Sequence, residues 1–245
     1  MDIEAVKRAF SLTKEELSMV IYPMIQNGKE AIGSMGDTAS LAVLSDQPRS
    51  FFNFFYQNFA QVTNPPLDYL REHTVTDMKM YLGKKPNVFE PKELLPPTPA
   101  IELDSPVLSL GHLAYLKSLS KLNKHQSRVI PKFMDICFER SHGVVGAQDR
   151  LNKIREQAVE AALSGYTVLV LSDRCHSYER PALPALLALR EAVNALNESG
   201  LRLITSIVID SGQIKSTHDF AAVIGFGAAA ACPYLMLDVA RNEDK

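Results

Sequence analysis

The spacing of apolar residues changes character along this chain, irregular in the first 110 residues and strongly periodic after about residue 125. Residues 14–26 set Leu17, Val20, Ile21 and Met24 on one helical stripe, with Thr13 as N-cap and Glu16 three residues on, the pattern of a capping box. Gly28, Gly33 and Gly36 interrupt it, and the short apolar stretch Leu41–Leu44 ends in the turn Ser45-Asp46-Gln47-Pro48. Residues 49–62 carry Phe51, Phe52, Phe55 and Phe59 at helical spacing, which predicts a helix whose aromatic stripe belongs to the core rather than to a cofactor. Asn64-Pro65-Pro66 stops that helix and reads as a corner leading to Arg71-Glu72, with the Asn64 side chain bonded to neighbouring backbone. Six of the 14 prolines fall within 84–106, predicting an extended connector with no regular element, packed down by Phe89, Leu94, Leu95 and Ile101.

Beyond residue 125 the rhythm becomes strand–helix. An apolar run at 128–138 predicts a strand, with Pro131 as a complication. A helix follows over 147–164, facing Leu151, Ile154, Ala158 and Ala161 inward and closed by Gly165. The wholly apolar run at 166–172 is typical of a strand buried on both faces of a parallel sheet. A helix over 184–199 ending at Gly200, a strand over 203–209, a helix over 216–224 and a last buried element, Ala228–Leu237, complete the series. Right-handed crossovers build a parallel sheet from this order. The expected organisation is one α/β unit over 1–245, with a helical and extended part at 1–110 and βα repeats at 111–245.

Composition narrows the partners. With 26 Lys plus Arg against 28 Asp plus Glu and no basic block, nucleic acid and anionic membrane are poor fits. The longest apolar candidate, Phe220–Leu237, is broken by Gly225, Gly227 and Pro233, short of the roughly 18 residues that a membrane span needs. The N-terminus lacks the apolar core of a signal peptide, and Cys137, Cys175 and Cys232 are far apart in a chain large enough to fold without disulfides. Buried thiols in a reducing cytoplasm are the expectation.

Candidate chemistry gathers where parallel α/β folds place it, at the carboxyl ends of strands: Ser172-Asp173-Arg174-Cys175-His176 and Asp210-Ser211-Gly212. Asp173 and Arg174 suit capping of the next helix and pairing with each other; a functional loop is the alternative. A Cys175–His176 nucleophilic pair is disfavoured, because sequence neighbours at a strand end diverge. Gly225-Phe226-Gly227 is half of a dinucleotide fingerprint, better explained by close backbone packing. The six histidines show no metal-ligand spacing, and CxxC, P-loop and GxSxG patterns are missing from the sequence.

Several stretches together resemble one family. Residues 9–46 (AFSLTKEELSMVIYPMIQNGKEAIGSMGDTASLAVLSD) look like the start of the central domain of the glutamate synthase large subunit, and FAQVTNPPLDYLRE at 59–72 is similar to a long, specific string of that domain. LDSPVL at 103–108, LSDR at 171–174, PALPALLALR at 181–190 and IGFGAAAACPYL at 224–235 extend the resemblance to about residue 237. It implies an incomplete (β/α) TIM-barrel-like fold that binds no flavin and is not catalytic alone. The implied parent enzyme converts glutamine, 2-oxoglutarate and reductant to two glutamates, with FMN and an iron–sulfur cluster held elsewhere in the parent. The implied partners are its amidotransferase and FMN-binding domains, with this domain linking them and walling part of an ammonia channel. The interdomain candidates are the loop Ser34, Met35, Gly36, Asp37, Thr38 and Ala39, then Thr63, Asn64, Asp173 and Arg174. No catalytic, cofactor-binding or metal residue is expected. The chain departs from the family's D-D-T-P at Asp37-Thr38-Ala39-Ser40, from its Gly at Cys175 and from its Asn at Cys232, which marks a diverged relative. Two alternatives are a free-standing barrel enzyme holding a phosphate-bearing ligand near Gly225 or Ser211, and a diverged interaction module.

Overall fold

A computed structural model describes residues 3–29, 39–40, 42–46, 49–56, 58, 64–87, 89, 100–122 and 129–243. Its centre is a four-stranded parallel sheet, β3 (Pro131–Asp135), β4 (Val168–Ser172), β5 (Ser206–Asp210) and β6 (Ala230–Cys232), paired in that order. The register sets Asp135 beside Ser172 and Ser172 beside Asp210, so three strands end level. The strands have the strict period of two expected of a sheet covered on both sides. Leu169, Leu171, Ile207 and Ile209 face α6 (Gly143–Leu163), α7 (Ala185–Glu198) and α8 (Thr217–Gly225). Val168, Val170 and Val208 face the opposite layer, formed by α5 (Leu110–Leu119), α9 (Tyr234–Glu243) and the N-terminal helices. Fully burying a leucine such as Leu186 or Leu189 on α7 contributes roughly 1.5–3 kcal/mol, so this two-sided core is the main source of stability. The open parallel sheet with flanking helices agrees with an incomplete barrel, and among the described residues it does not close. No described helix is long and apolar enough to cross a membrane.

Local signals account for most of these elements. Gly165 and Gly200 take positive φ just past α6 and α7, as their helix-ending role requires. Ser216 and Asp219 form a capping box at α8, and Ser109 with His112 forms another at α5, a helix that the sequence pattern did not reveal. Pro131 is the first residue of the edge strand β3, where a missing N–H costs no ladder bond. The Thr13–Glu16 capping box is present, and helix runs from α2 (Lys14–Glu16) through a π-helical turn at Leu17–Ile21 into α3 (Tyr22–Asn27). That turn passes the chain to Pro23, which has no N–H to give the ladder.

Elsewhere the structure differs from the sequence expectations. Of the predicted aromatic helix at 49–62, the described residues 49–56 hold a single 3₁₀ turn, Phe51–Phe54, and Phe55 is already extended; Phe59 lies outside the described residues. The aromatic rings still serve the core: Phe52 is buried, and Phe55 meets Phe226 edge-on at 4.9 Å between centroids. Packing of individual rings, rather than a helical stripe, decides the backbone there. The proline-rich connector contains a strand, because the proline-free run Ala100–Leu103 (β2) pairs antiparallel with β1 (Met80–Gly83). The Ser206 hydroxyl ties this hairpin to β5, donating to the Gly83 carbonyl at 2.9 Å and accepting from its N–H at 3.1 Å. The last apolar stretch is two elements, β6 and α9, divided at Pro233. Two further helices, α1 (Ile3–Ala9) and α4 (Tyr69–Val75), were not anticipated; Asp68 caps α4 by accepting from the Leu70 and Arg71 N–H groups.

Candidate functional site

The level carboxyl ends of β4 and β5 carry a lattice of polar groups centred on the buried Asp173, Asp210 and Ser211. Asp173 is completely buried just past β4. Its carboxylate accepts from the Ser211 hydroxyl at 2.5 Å, the Gly212 N–H at 3.2 Å and the Gln213 amide at 3.3 Å. Burial pushes the Asp173 carboxyl up to about 6, and the bonds from Ser211 and Gly212 offset only part of that penalty. Beside it, the Asp210 Oδ2 accepts from the Ser172 hydroxyl at 2.8 Å and from Arg174 Nε at 2.7 Å. The Arg174 guanidinium also lies 4.1 Å over the Tyr234 ring. The other Asp210 oxygen and the Tyr234 hydroxyl are buried without a partner that meets hydrogen-bond geometry. Burial and the neighbouring Asp173 charge drive the Tyr234 phenol far above its usual range.

The expected local pairing of Asp173 with Arg174 is therefore wrong. Each bonds across the sheet to groups 36–40 positions away, and neither caps α7, which begins at Ala185. Cys175 and His176 diverge as expected. Cys175 is exposed, against the expectation of three buried thiols, because the loop turns it outward. The His176 ring nitrogen Nδ1 sits 3.0 Å from the Asp173 carbonyl. Cys137 and Cys232 are buried, and burial raises both thiols, Cys232 to about 12. Neither is a nucleophile at neutral pH.

The N-terminal segment covers this lattice. Phe10, one residue past α1, meets His176 at a tilt, 4.6 Å between ring centroids, and approaches Tyr234 edge-on at 6.4 Å. It also lies against Gly212, where an added Cβ would meet the Phe10 ring at 2.6 Å and the Tyr234 oxygen at 3.0 Å. Any larger residue there would have to displace the ring. Lys215 anchors the same segment, reaching Glu16 at 3.1 Å and the Ser11 carbonyl at 3.1 Å. Outside Phe10 opens a cleft of about 750 Å³, bounded by α1, residues 49–51, the loop 176–184 and the loop after β5.

The other sequence candidates fall as follows. Ser34, Met35, Gly36, Asp37, Thr38 and Thr63 lie outside the described residues. Ala39 is exposed, and its carbonyl accepts from Arg49 at 3.0 Å. Asn64 is exposed and its side chain bonds no described residue, which removes the support for a hydrogen-bonded corner. Ser211 is buried beneath Phe10 rather than available to a phosphate. Gly225 ends α8 and precedes β6, at the amino edge of the sheet and opposite the ligand-binding edge of barrels. Close packing explains Gly227, whose φ is +112° and whose added Cβ would lie 3.1 Å from Val193, but not Gly225, which has open space. Among the described residues no group of His, Cys, Asp and Glu is arranged to hold a metal ion. Phe10, Gln213 and Tyr234 gave no sequence signal as site residues, since their role depends on contacts between distant segments.

Comparison with known proteins gives a consistent result. The family model of the glutamate synthase central domain matches residues 5–245. The chain is 42% identical over 241 residues to the chloroplastic ferredoxin-dependent glutamate synthase of Spinacia oleracea, covering 96% of this chain and 14% of that protein. It is 37% identical over 229 residues to the glutamate synthase [NADPH] large chain of Azospirillum brasilense, covering 94% of this chain and 14% of that one. With the corresponding large chain of Bacillus subtilis the identity is 36% over 242 residues, 99% of this chain and 15% of the relative. The chain thus spans about a seventh of the relatives it matches, and over residues 5–245 it belongs to the glutamate synthase central domain family.

Proposed function

We propose that this chain is one piece of a longer glutamate synthase, acting in the cytoplasm as a non-catalytic linker between its amidotransferase and FMN-binding domains and as part of an ammonia-channel wall. The parent reaction would convert glutamine, 2-oxoglutarate and reductant to two glutamates. The observation that carries this reading is the state of the strand ends. Barrel enzymes keep those ends open and aim reactive groups into solvent or substrate. Here Asp173, Asp210, Arg174 and Ser211 are engaged with one another, and Phe10 closes over them. Such an arrangement holds shape and commits these four side chains to one another rather than to a substrate. The small residues Ser34, Gly36, Thr38 and Ala39, followed by Thr63 and Asn64, are our candidates for the channel wall and interdomain contact. The domain would hold neither FMN nor an iron–sulfur cluster of its own.

The test is to supply the purified chain with glutamine, and separately with ammonia, 2-oxoglutarate and a reductant. Neither ammonia release nor glutamate formation is expected. Turnover of either half-reaction by the chain alone would overturn the scaffold reading.

A further inference from the structure

The cleft above Phe10 has a lining whose charge has one sign. Among the described residues Arg8, Arg49, Arg140, Lys215 and His176 face it, and no Asp or Glu does. Lys215 is neutralised by Glu16. Arg8, in the last turn of α1, and Arg140, in the turn before α6, have no carboxylate within ion-pairing distance among the described residues. Arg140 lies over the Tyr178 ring at 4.2 Å, and its guanidinium N–H groups bond no described residue. A guanidinium with its donors unspent is suited to bidentate capture of a planar or tetrahedral oxyanion.

The remainder of the lining is apolar and aromatic, with Phe10, Phe51, Pro181 and Pro184. The volume of about 750 Å³ lies within the range of roughly 300–1,000 Å³ that small-molecule sites occupy. The cleft also sits at the carboxyl edge of the parallel sheet, where such folds bind ligands. Gln213 joins this cleft to the lattice below, bonding the Asp173 carboxylate and the Leu183 carbonyl, so the floor is rigid before any ligand arrives.

We propose that this cleft binds a small organic anion, an apolar or aromatic body with a carboxylate or phosphate head gripped by Arg8 and Arg140. Binding needs no reaction at the strand ends, so the site stands or falls independently of the scaffold reading. Calorimetric titration of the chain with phenyl phosphate, benzoate and inorganic phosphate tests it, with sodium chloride at matched ionic strength as control. Saturable one-to-one binding is expected for at least one aryl anion, tighter than for inorganic phosphate, and the preferred aryl anion identifies the head group. Arg8→Gln and Arg140→Gln should each weaken it by about tenfold, in line with loss of a charge-assisted hydrogen bond. Arg190→Gln, on the exposed face of α7, should leave it unchanged. Ligand-free melts of all three variants should match the parent, since these side chains are exposed. Heats no different from sodium chloride, or binding that survives both cleft substitutions, would overturn the proposal. An aryl anion held no better than inorganic phosphate would also overturn it.

Discussion

Asp173→Asn separates the electrostatics of the buried lattice from its shape. Burial raises the carboxyl from 3.8 to about 6, so between those values the folded protein retains a proton that the unfolded chain has released. Stability is therefore greatest below the unfolded value, falls as pH rises through the window and is flat above it. A shift of this size corresponds to on the order of 3 kcal/mol. Asparagine keeps the shape and the neutral state: its oxygen in the Oδ1 place can accept from Gly212, its nitrogen in the Oδ2 place can donate to the Ser211 oxygen, and the Gln213 amide keeps its bond to the Leu183 carbonyl. Urea unfolding followed by far-ultraviolet circular dichroism, from pH 4 to pH 8, gives both stability curves. The asparagine variant should gain on the parent by on the order of 3 kcal/mol across the window. Comparing the pair cancels the other titrating carboxylates, among them Asp219, which burial also raises, and Asp135, where bonds from Cys137 and Arg180 outweigh burial. Parallel curves, or a parent that gains as pH rises, would refute the reasoning. Asp173→Ala is the contrasting case, leaving buried donors without an acceptor at about 1–3 kcal/mol for each.

Gly212→Ala should displace Phe10 and cost about 1–3 kcal/mol in the same unfolding assay, as overpacking does, because the new methyl would sit 2.6 Å from the ring; an unchanged midpoint would contradict the close packing. Asn64→Leu should leave the melting temperature of the chain unchanged, since Asn64 is exposed and unbonded; a lower melt would restore the structural-corner reading. The purified chain should be colourless, because the segment Gly225–Tyr234 carries no Lys or Arg to cradle a flavin phosphate; a stoichiometric yellow chromophore would refute this.

The parts of the fold legible in the sequence are those fixed by neighbouring residues. Thr13 and Glu16 lie one turn apart, and the apolar run at 166–172 reports its own burial, so the capping box and β4 were readable. The residues at the strand ends were also visible, but their bonds were not. Nothing local tells Arg174 to choose Asp210 over Asp173, because that choice depends on the register of β4 against β5. Phe10 over Gly212 is a contact across some two hundred positions, and no periodicity announces it. The Phe51–Phe55 stretch failed for a different reason. Aromatic side chains have weak helix preference, and Phe51, Phe52 and Phe55 found separate places in the core while Phe54 stayed exposed.

The central claim, a scaffold that walls an ammonia channel, is tested most directly by the coupling ratio of a full-length glutamate synthase carrying this domain. Glycine at position 36 has no side chain to narrow a channel, and Gly36→Val adds one beside Ser34, Asp37 and Thr38. Glutamine hydrolysis and glutamate formation are measured together, with the glutamate-forming half-reaction also assayed on external ammonia. The account predicts that each half-reaction keeps its rate while ammonia escapes, so that more glutamine is hydrolysed than glutamate is formed from 2-oxoglutarate. A variant that still couples one to one would contradict it.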